Sequence, residues 1–336
     1  MAPKWRRNND ESELAPTGTK KTRTAQQNTL TMCDHIKRQC QRVDSTIRHC
    51  TVMGSIFSRL TSSTQPPVSK VILVTGASAG IGKESSLALI KRGHVVYGAA
   101  RRIDQMQDIV AAGGHALQMD ITHEKDIVQA IERILKEQGR IDVLVNNAGY
   151  GEYGPIEDVS LDAARRQFDV NIFGLARITK EVIPHMRQAG KGTIINMSSM
   201  GGKVYAPYFG WYQASKHALE GWSDCLRLEL NPFNIKVAII EPGLIKTDFT
   251  DVALPPMIER SKGGPYEKSV SKFVQTWTEM MQAGSPVSVI ADVVIKASES
   301  SNPQRRYVAG NLAREMIFVR SWFGDAVLDF LSKLSF

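Results

Sequence analysis

The sequence predicts an α/β fold, a single domain built on a doubly wound parallel sheet with helices on both faces. Three observations point there. Short apolar runs without polar alternation recur along the chain, as in strands buried on both faces. Helical patterns fill the intervals between them through short links. A glycine-rich turn, Thr75-Gly76-Ala77-Ser78-Ala79-Gly80-Ile81-Gly82, follows the first run and opens the first helix.

Charge and composition set the boundary of that domain. The 336 residues include 42 Lys+Arg and 34 Asp+Glu, a formal net charge of +8. Residues 1–66 hold 11 basic and 5 acidic side chains, and the remainder holds 31 and 29. The excess therefore belongs to a polar, basic N-terminal extension without periodicity, for which disorder is expected. The rest is nearly neutral and offers no basic stripe for DNA or RNA. Pro66-Pro67 marks the boundary, and residues 67–336 suffice for one full core. Cys33, Cys40 and Cys50 lie in the extension and Cys225 in a helical pattern. They form neither a disulfide framework nor a zinc spacing, so no metal is expected and a reducing, cytoplasmic setting fits. No apolar run is long enough to span a bilayer.

The elements follow in order. Val71–Val74 is the first buried strand, and the helix after the turn, carrying Leu87, Ala88, Leu89 and Ile90, stops at Gly93. Val95–Ala100 is the second strand and runs into Arg101-Arg102. Ala116–Met119 is the third, closed by Asp120. A helix from Thr122 places Ile127, Val128, Ile131, Ile134 and Leu135 on one stripe and ends at Gly139. Ile141–Val145, Gly192–Met197 and Ile235–Ile240 are further strands. The segment after Thr247 loses the alternation; about 248–285 is rich in Met, Pro and aromatic residues. An amphipathic helix over about 312–336 carries Val319, Trp322, Phe323, Ala326, Val327, Phe330, Leu331 and Leu334. It would cover a substrate mouth, join subunits or touch a membrane surface as a peripheral contact, with packing inside the protein or a homo-oligomer favoured.

Two motifs carry chemistry. A strand, a glycine turn and a helix in that order make a phosphate cradle: glycines let the backbone approach a pyrophosphate, and the helix N-terminus offers free N–H groups. At the end of the second strand an acid would bind a ribose diol, whereas an Arg accommodates a 2′-phosphate. Ala100 precedes Arg101 there, which favours NADPH, with NAD less favoured. Asp120 would reach the adenine or help start the next helix. Farther on, Tyr212 and Lys216 are four residues apart and leave one face of a helix. An ammonium beside a phenol would pull the phenol down from about 10, and two units would correspond to about 2.7 kcal/mol.

At these residues the chain resembles the short-chain dehydrogenase/reductase superfamily, over about residues 68–310. Thr75–Gly82 resembles its TGxxxGxG turn, Asn146-Asn147-Ala148-Gly149 its NNAG element, and Pro242-Gly243 with Thr247 its PGxxxT loop. Asn171 stands where the family keeps a catalytic asparagine. Ser199 precedes Tyr212 at the family's usual offset, with Ser198 the less favoured choice. The resemblance implies a Rossmann-type fold and a catalytic set of Asn171, Ser199, Tyr212 and Lys216. It also implies cofactor contacts from Gly76, Ser78, Gly80, Ile81, Gly82, Arg101, Asp120, Ile121, Asn147, Gly149, Tyr212, Lys216, Pro242, Ile245 and Thr247. Tyr212 would move the proton, Lys216 would lower its pKa and hold the nicotinamide ribose, and Ser199 would orient the substrate oxygen. Asn171 would anchor a water linking Lys216 to solvent. One departure is Ala79, where many NADPH-using relatives carry a basic side chain.

The implied function is NAD(P)H-dependent interconversion of a carbonyl and an alcohol on a small lipophilic molecule. The Met-rich, aromatic 248–285 segment would lid that substrate. The pattern is similar to relatives acting on steroids, retinoids and acylated dihydroxyacetone phosphate. The Ala-Arg-Arg strand end and Asn231-Pro232-Phe233-Asn234 resemble the last of these most. A redox-sensing NADPH-binding protein without turnover is the alternative, and the intact tetrad counts against it.

Overall fold

The computed structural model describes residues 69–335. The extension over 1–66, with Cys33, Cys40 and Cys50, lies outside the described residues. Seven strands form one sheet: β1 (Val71–Thr75), β2 (Val95–Ala100), β3 (His115–Gln118), β4 (Val143–Asn146), β5 (Gly192–Met197), β6 (Ile235–Pro242) and β7 (Arg306–Ala309). They are all parallel, in the order β3-β2-β1-β4-β5-β6-β7. The chain starts in the middle, winds outward to β3, then returns past β1 to β4 and onward. The crevice at that reversal is where a doubly wound sheet binds its ligand.

The helices are α1 (Gly80–Lys91), α2 (Gln107–Ala111), α3 (Glu124–Gln138), α4 (Leu161–Phe168), α5 (Leu175–Gln188), α6 (Gly210–Leu230), α7 (Phe249–Ser261), α8 (Glu267–Gln282), α9 (Ser288–Glu299) and α10 (Ala313–Ser335). β1 is buried at all five positions, as its unbroken apolar run requires. Leu73, Leu144, Ile194 and Val237 join the α3 stripe residues Ile127, Ile131 and Ile134 in one core layer. Ile72, Val74, Val145 and Ile240 join Leu89 of α1 and Ile290 and Val294 of α9 in the other. Successive strand residues thus feed opposite layers. The stripe helix stops at Gly139, whose φ of +72° suits a residue without Cβ, as expected.

Four features differ from the sequence expectation. β7 carries too short an apolar pattern to read as a strand, yet it pairs with β6 from Ile239↔Arg306 to Pro242↔Ala309. The stretch after Thr247 is two helices rather than irregular, although Pro255 and Pro256 stand inside α7 without a backbone donor. α4 and α5 are joined by a π-helical turn over Asp169–Gly174, which holds Asn171. The C-terminal helix breaks at Gly324 (φ +72°, ψ −165°), so one stripe does not run through it. Val319 and Leu328 turn inward, while Trp322, Phe323 and Phe330 are exposed. Among the described residues no helix is long and apolar enough to cross a membrane.

Candidate active site

Strand ends, turns and helix starts converge on the reversal point. The glycine turn leaves β1 with the Gly76 N–H donating to the Ala99 carbonyl at 2.8 Å. Gly76 has φ +69°, and a Cβ there would lie 2.8 Å from Ala148 Cα. A Cβ on Gly82 would collide with the Gly76 carbonyl oxygen and Asn147 Nδ2. Backbone stands where side chains would otherwise be, which is what close approach to a phosphate requires. Ala79, the N-cap of α1, makes no side-chain hydrogen bond to the first turn. Those N–H groups face the turn with a positive dipole end behind them. The residues therefore suit a dinucleotide pyrophosphate.

Around this cradle the predicted contacts divide. Asn147 is scaffold: its Nδ2 donates to the Thr75 carbonyl at 3.0 Å, and the N–H groups of Asn147 and Ala148 donate to Thr75 Oγ1 at 3.1 and 3.0 Å. Asp120 Oδ1 accepts from the Thr122 N–H and Oγ1 at 2.9 and 2.7 Å, so it shapes the start of the next helix. Burial works against its charge, and the Thr122 hydrogen bonds and Arg101 outweigh that and hold it below the usual range. Ile121 is buried, and a Cβ on Gly174 would lie 2.8 Å from its carbonyl oxygen. A Cβ on Gly80 would lie 3.5 Å from Thr247 Cγ2, which brings the PGxxxT loop to the glycine turn. Beside Thr247, Ile245 bridges to Ser285, and Pro242 ends β6. Sequence reasoning missed Arg102. Both arginines at the end of β2 are exposed, and it is Arg102 Nη2 that donates to Ser78 Oγ at 3.3 Å, across the mouth of the turn.

The predicted catalytic residues come together on the other side. Tyr212 and Lys216 lie on α6, and Lys216 Nζ is 5.8 Å from the Tyr212 ring centroid. Ser199 hydrogen-bonds the phenol and accepts from the Gly201 N–H at 3.0 Å. Ser198 is instead buried and makes no side-chain hydrogen bond. Asn171 brackets Tyr150: its Oδ1 accepts from the Tyr150 N–H at 3.1 Å, and its Nδ2 donates to the Tyr150 carbonyl at 3.0 Å. The same Nδ2 donates to Ser215 Oγ at 3.0 Å, so Asn171 links the loop after β4 to α6. At Gly149 a Cβ would lie 3.1 Å from Asn171 Oδ1 and 3.7 Å from Lys216 Nζ, so a side chain here would crowd the Asn171 amide.

The electrostatics correct the expectation for the phenol. Burial raises Tyr212 above its usual range, and the Ser199 hydrogen bond only partly offsets this. Lys216 is not among the groups that lower it; its Nζ donates to the Met197 carbonyl at 2.8 Å. Burial lowers Lys216 to about 8, with Glu220 acting the other way. The pair is thus two neutralisable groups held near each other out of water, the setting in which a proton can move between protein and substrate.

An apolar, aromatic wall closes the site. Tyr153 and Phe249 each place a ring centroid 5.8 Å from that of Tyr212. Leu254, Met257, Val270, Phe273 and Trp277 of α7 and α8 extend the same cluster. Arg260 of α7 donates to the Tyr153 carbonyl and pairs with Glu152, and Tyr266 donates to Glu157 at 2.5 Å. These bonds fasten α7 and α8 to the loop after β4.

The profile of the short chain dehydrogenase family matches residues 70–256. The chain belongs to the short-chain dehydrogenase family. This family member is 35% identical over 267 residues to a 3-ketodihydrosphingosine reductase of Bacteroides thetaiotaomicron, an alignment covering 79% of this chain and 97% of the relative. A short-chain dehydrogenase from Streptomyces avermitilis superposes with TM-score 0.67 at 32% identity, over 82% of this chain and 98% of that one. A Burkholderia cenocepacia short chain dehydrogenase in complex with NADP matches with TM-score 0.63 at 25% identity, over 78% and 97% of the two chains. An NAD+-bound xylitol dehydrogenase matches with TM-score 0.62 at 27% identity, over 72% and 98%. This short-chain dehydrogenase thus has the Rossmann-type fold of an oxidoreductase family whose structures hold either dinucleotide.

Proposed function

We propose that this short-chain dehydrogenase reduces the carbonyl of a lipophilic ketone to an alcohol with NADPH. The meeting of Ser199, Tyr212 and Lys216 beside the glycine turn carries the reading. The residues that would hold the cofactor are Gly76, Gly80 and Gly82 at the pyrophosphate, Arg101, Arg102 and Ser78 at the 2′-phosphate, and Lys216 and Thr247 at the nicotinamide end. When bound, the nicotinamide supplies a hydride. Ser199 Oγ hydrogen-bonds the substrate oxygen and fixes its position next to the phenol. Tyr212 then donates its proton to that oxygen as negative charge develops there. A raised phenol pKa keeps Tyr212 protonated for this donor role in the reducing direction. Lys216, charged below about pH 8, would hold the nicotinamide ribose with its ammonium.

The aromatic wall supports a lipophilic substrate, because it offers apolar surface at the phenol and few charges to solvate a polar one. α7 and α8 serve as the lid. The likeness to a 3-ketodihydrosphingosine reductase supports a ketone on an extended alkyl chain. The test is loss of NADPH absorbance with 3-ketodihydrosphingosine, long-chain acylated dihydroxyacetone phosphate, steroid and retinal substrates. Turnover of at least one is expected; tight NADPH binding with no turnover of any would refute the assignment and favour a redox sensor.

Two arginines now share the 2′-phosphate. Arg101→Ala and Arg102→Ala should each raise KM for NADPH by about tenfold, the loss of one exposed charge-assisted contact, with little change for NADH. Equal rises for both cofactors would reject the 2′-phosphate reading.

A further inference from the structure

A buried acidic pair stands one turn beyond Lys216. Glu220 follows Lys216 by four residues on α6, so both leave the same helix face. Glu220 is 4% exposed, and Glu241, the residue before Pro242, is 1% exposed. Arg306 of β7 reaches both: Nη2 is 3.0 Å from Glu220 Oε2, and Nε is 3.0 Å from Glu241 Oε1. The turn over Met200–Gly202 packs on α6 beside Glu220. A Cβ on Gly202 would lie 2.8 Å from Ser198 Oγ, 3.0 Å from Glu220 Cγ and 3.1 Å from the Lys216 carbonyl oxygen. One guanidinium therefore ties α6, β6 and β7 together beside the segments that carry Ser199, Lys216 and Pro242.

Two carboxylates are not left this deep without compensation. The charged groups of the cluster around Glu220, Glu241 and Arg306 come from three elements. α6 presents Glu220, Asp224 and, paired with Asp224 at 3.4 Å, Arg227. The turn after Met200–Gly202 presents Lys203, with Nζ 2.9 Å from Glu220 Oε2. β7 presents Arg306, which also pairs with Asp224 at 2.5 Å. Arg314 of α10 is turned to the Val308 carbonyl, and Ile240 takes the face covered by α9. Burial, then repulsion from Glu220, raises Glu241 to about 7. Lys216 itself is 7% exposed, and the carboxylate that acts on its ammonium is Glu220.

We propose that Glu220 and Glu241, clasped by Arg306, are positioning residues for the Tyr212–Lys216 pair, fixing α6 against the ends of β6 and β7, with Glu220 supplying the negative charge that keeps Lys216 an ammonium. The inference rests on the catalytic reading of Lys216.

The experiment titrates Lys216 directly. Protein carrying 13C- and 15N-labelled lysine is followed by NMR from pH 6 to 10, with the Lys216 signal assigned by its loss in Lys216→Arg. Glu220→Gln and Glu241→Gln keep side-chain size and one acceptor oxygen for Arg306. The Lys216 midpoint is expected to fall by about one unit in Glu220→Gln and by less in Glu241→Gln. Lys203→Met, which removes a cation beside Glu220, should move it the other way and stands in should Glu220→Gln fail to fold. In parallel, kcat/KM of the two Glu variants relative to the parent should decline as pH rises from 7 to 9. Unmoved Lys216 midpoints in the folded variants would overturn the inference, as would an activity deficit of the same factor at every pH together with them. A midpoint that falls while the activity ratio stays flat upholds the pair's control of Lys216 and counts instead against the catalytic role of Lys216.

Discussion

Tyr212→Phe is expected to lower kcat by about 10³-fold, within the range general acid–base groups contribute. The substitution removes one oxygen and keeps the ring that packs against Tyr153 and Phe249. Stability and NADPH affinity should therefore stay close to the parent, because the turn that would hold the pyrophosphate lies on β1 and α1 and not on α6. Fluorescence titration with NADPH and single-turnover kinetics separate the two effects. Loss of NADPH binding with the chemical step preserved would mean that the phenol is a cofactor contact and not the proton donor.

The second large effect is at Gly82. In Gly82→Ala the new methyl group would meet the Gly76 carbonyl oxygen and the Asn147 amide, and Asn147 is itself bonded to Thr75. Neither is the loose end of a flexible chain, so the turn must shift. Overpacking of this kind destabilises by about 1–3 kcal/mol. A displaced turn also moves the N–H groups of α1, and NADPH affinity should drop by about 10²-fold or more. Thermal unfolding and NADPH titration of the variant read both. An alanine at 82 that leaves affinity and melting temperature unchanged would show that the turn is more plastic than its contacts imply. Gly93→Ala is the internal comparison, since a Cβ there meets nothing within 4 Å and only its φ of +84° resists the change.

Much of this site is legible along the chain because its parts are local. β2 and β5 occupy the segments read from their apolar runs, and the first helix begins inside the glycine turn and ends at Lys91, two residues before the Gly93 read as its stop. The four-residue spacing of Tyr212 and Lys216 and the offset to Ser199 are distances along one strand–turn–helix unit, and the fold preserves them. What sequence reading lacked is set by groups far apart in the chain. β7 is an edge strand of four residues, recognisable only once β6 is there to pair with it. The direction of the Tyr212 shift depends on how much water Tyr153, Phe249 and the helices α7 and α8 exclude, whereas the sequence displayed only the neighbouring ammonium. The helix spacing of Lys216 and Glu220 is visible in the sequence; that Arg306, 86 residues later, would bind Glu220 is not. The C-terminal stripe failed for a local reason, since a single glycine in an extended, positive-φ conformation resets which face turns inward.

In the proposed reaction, hydride addition to a lipophilic ketone is completed by a proton from Tyr212, oriented by Ser199. The most direct measurement uses NADPH carrying deuterium at the transferable C4 position, with 3-ketodihydrosphingosine as substrate and mass spectrometry of the product. One deuterium on the carbinol carbon is expected with the parent enzyme, and about 10³-fold slower labelling with Tyr212→Phe at saturating NADPH. Product without deuterium, or labelling at the parent rate in the phenylalanine variant, would contradict it.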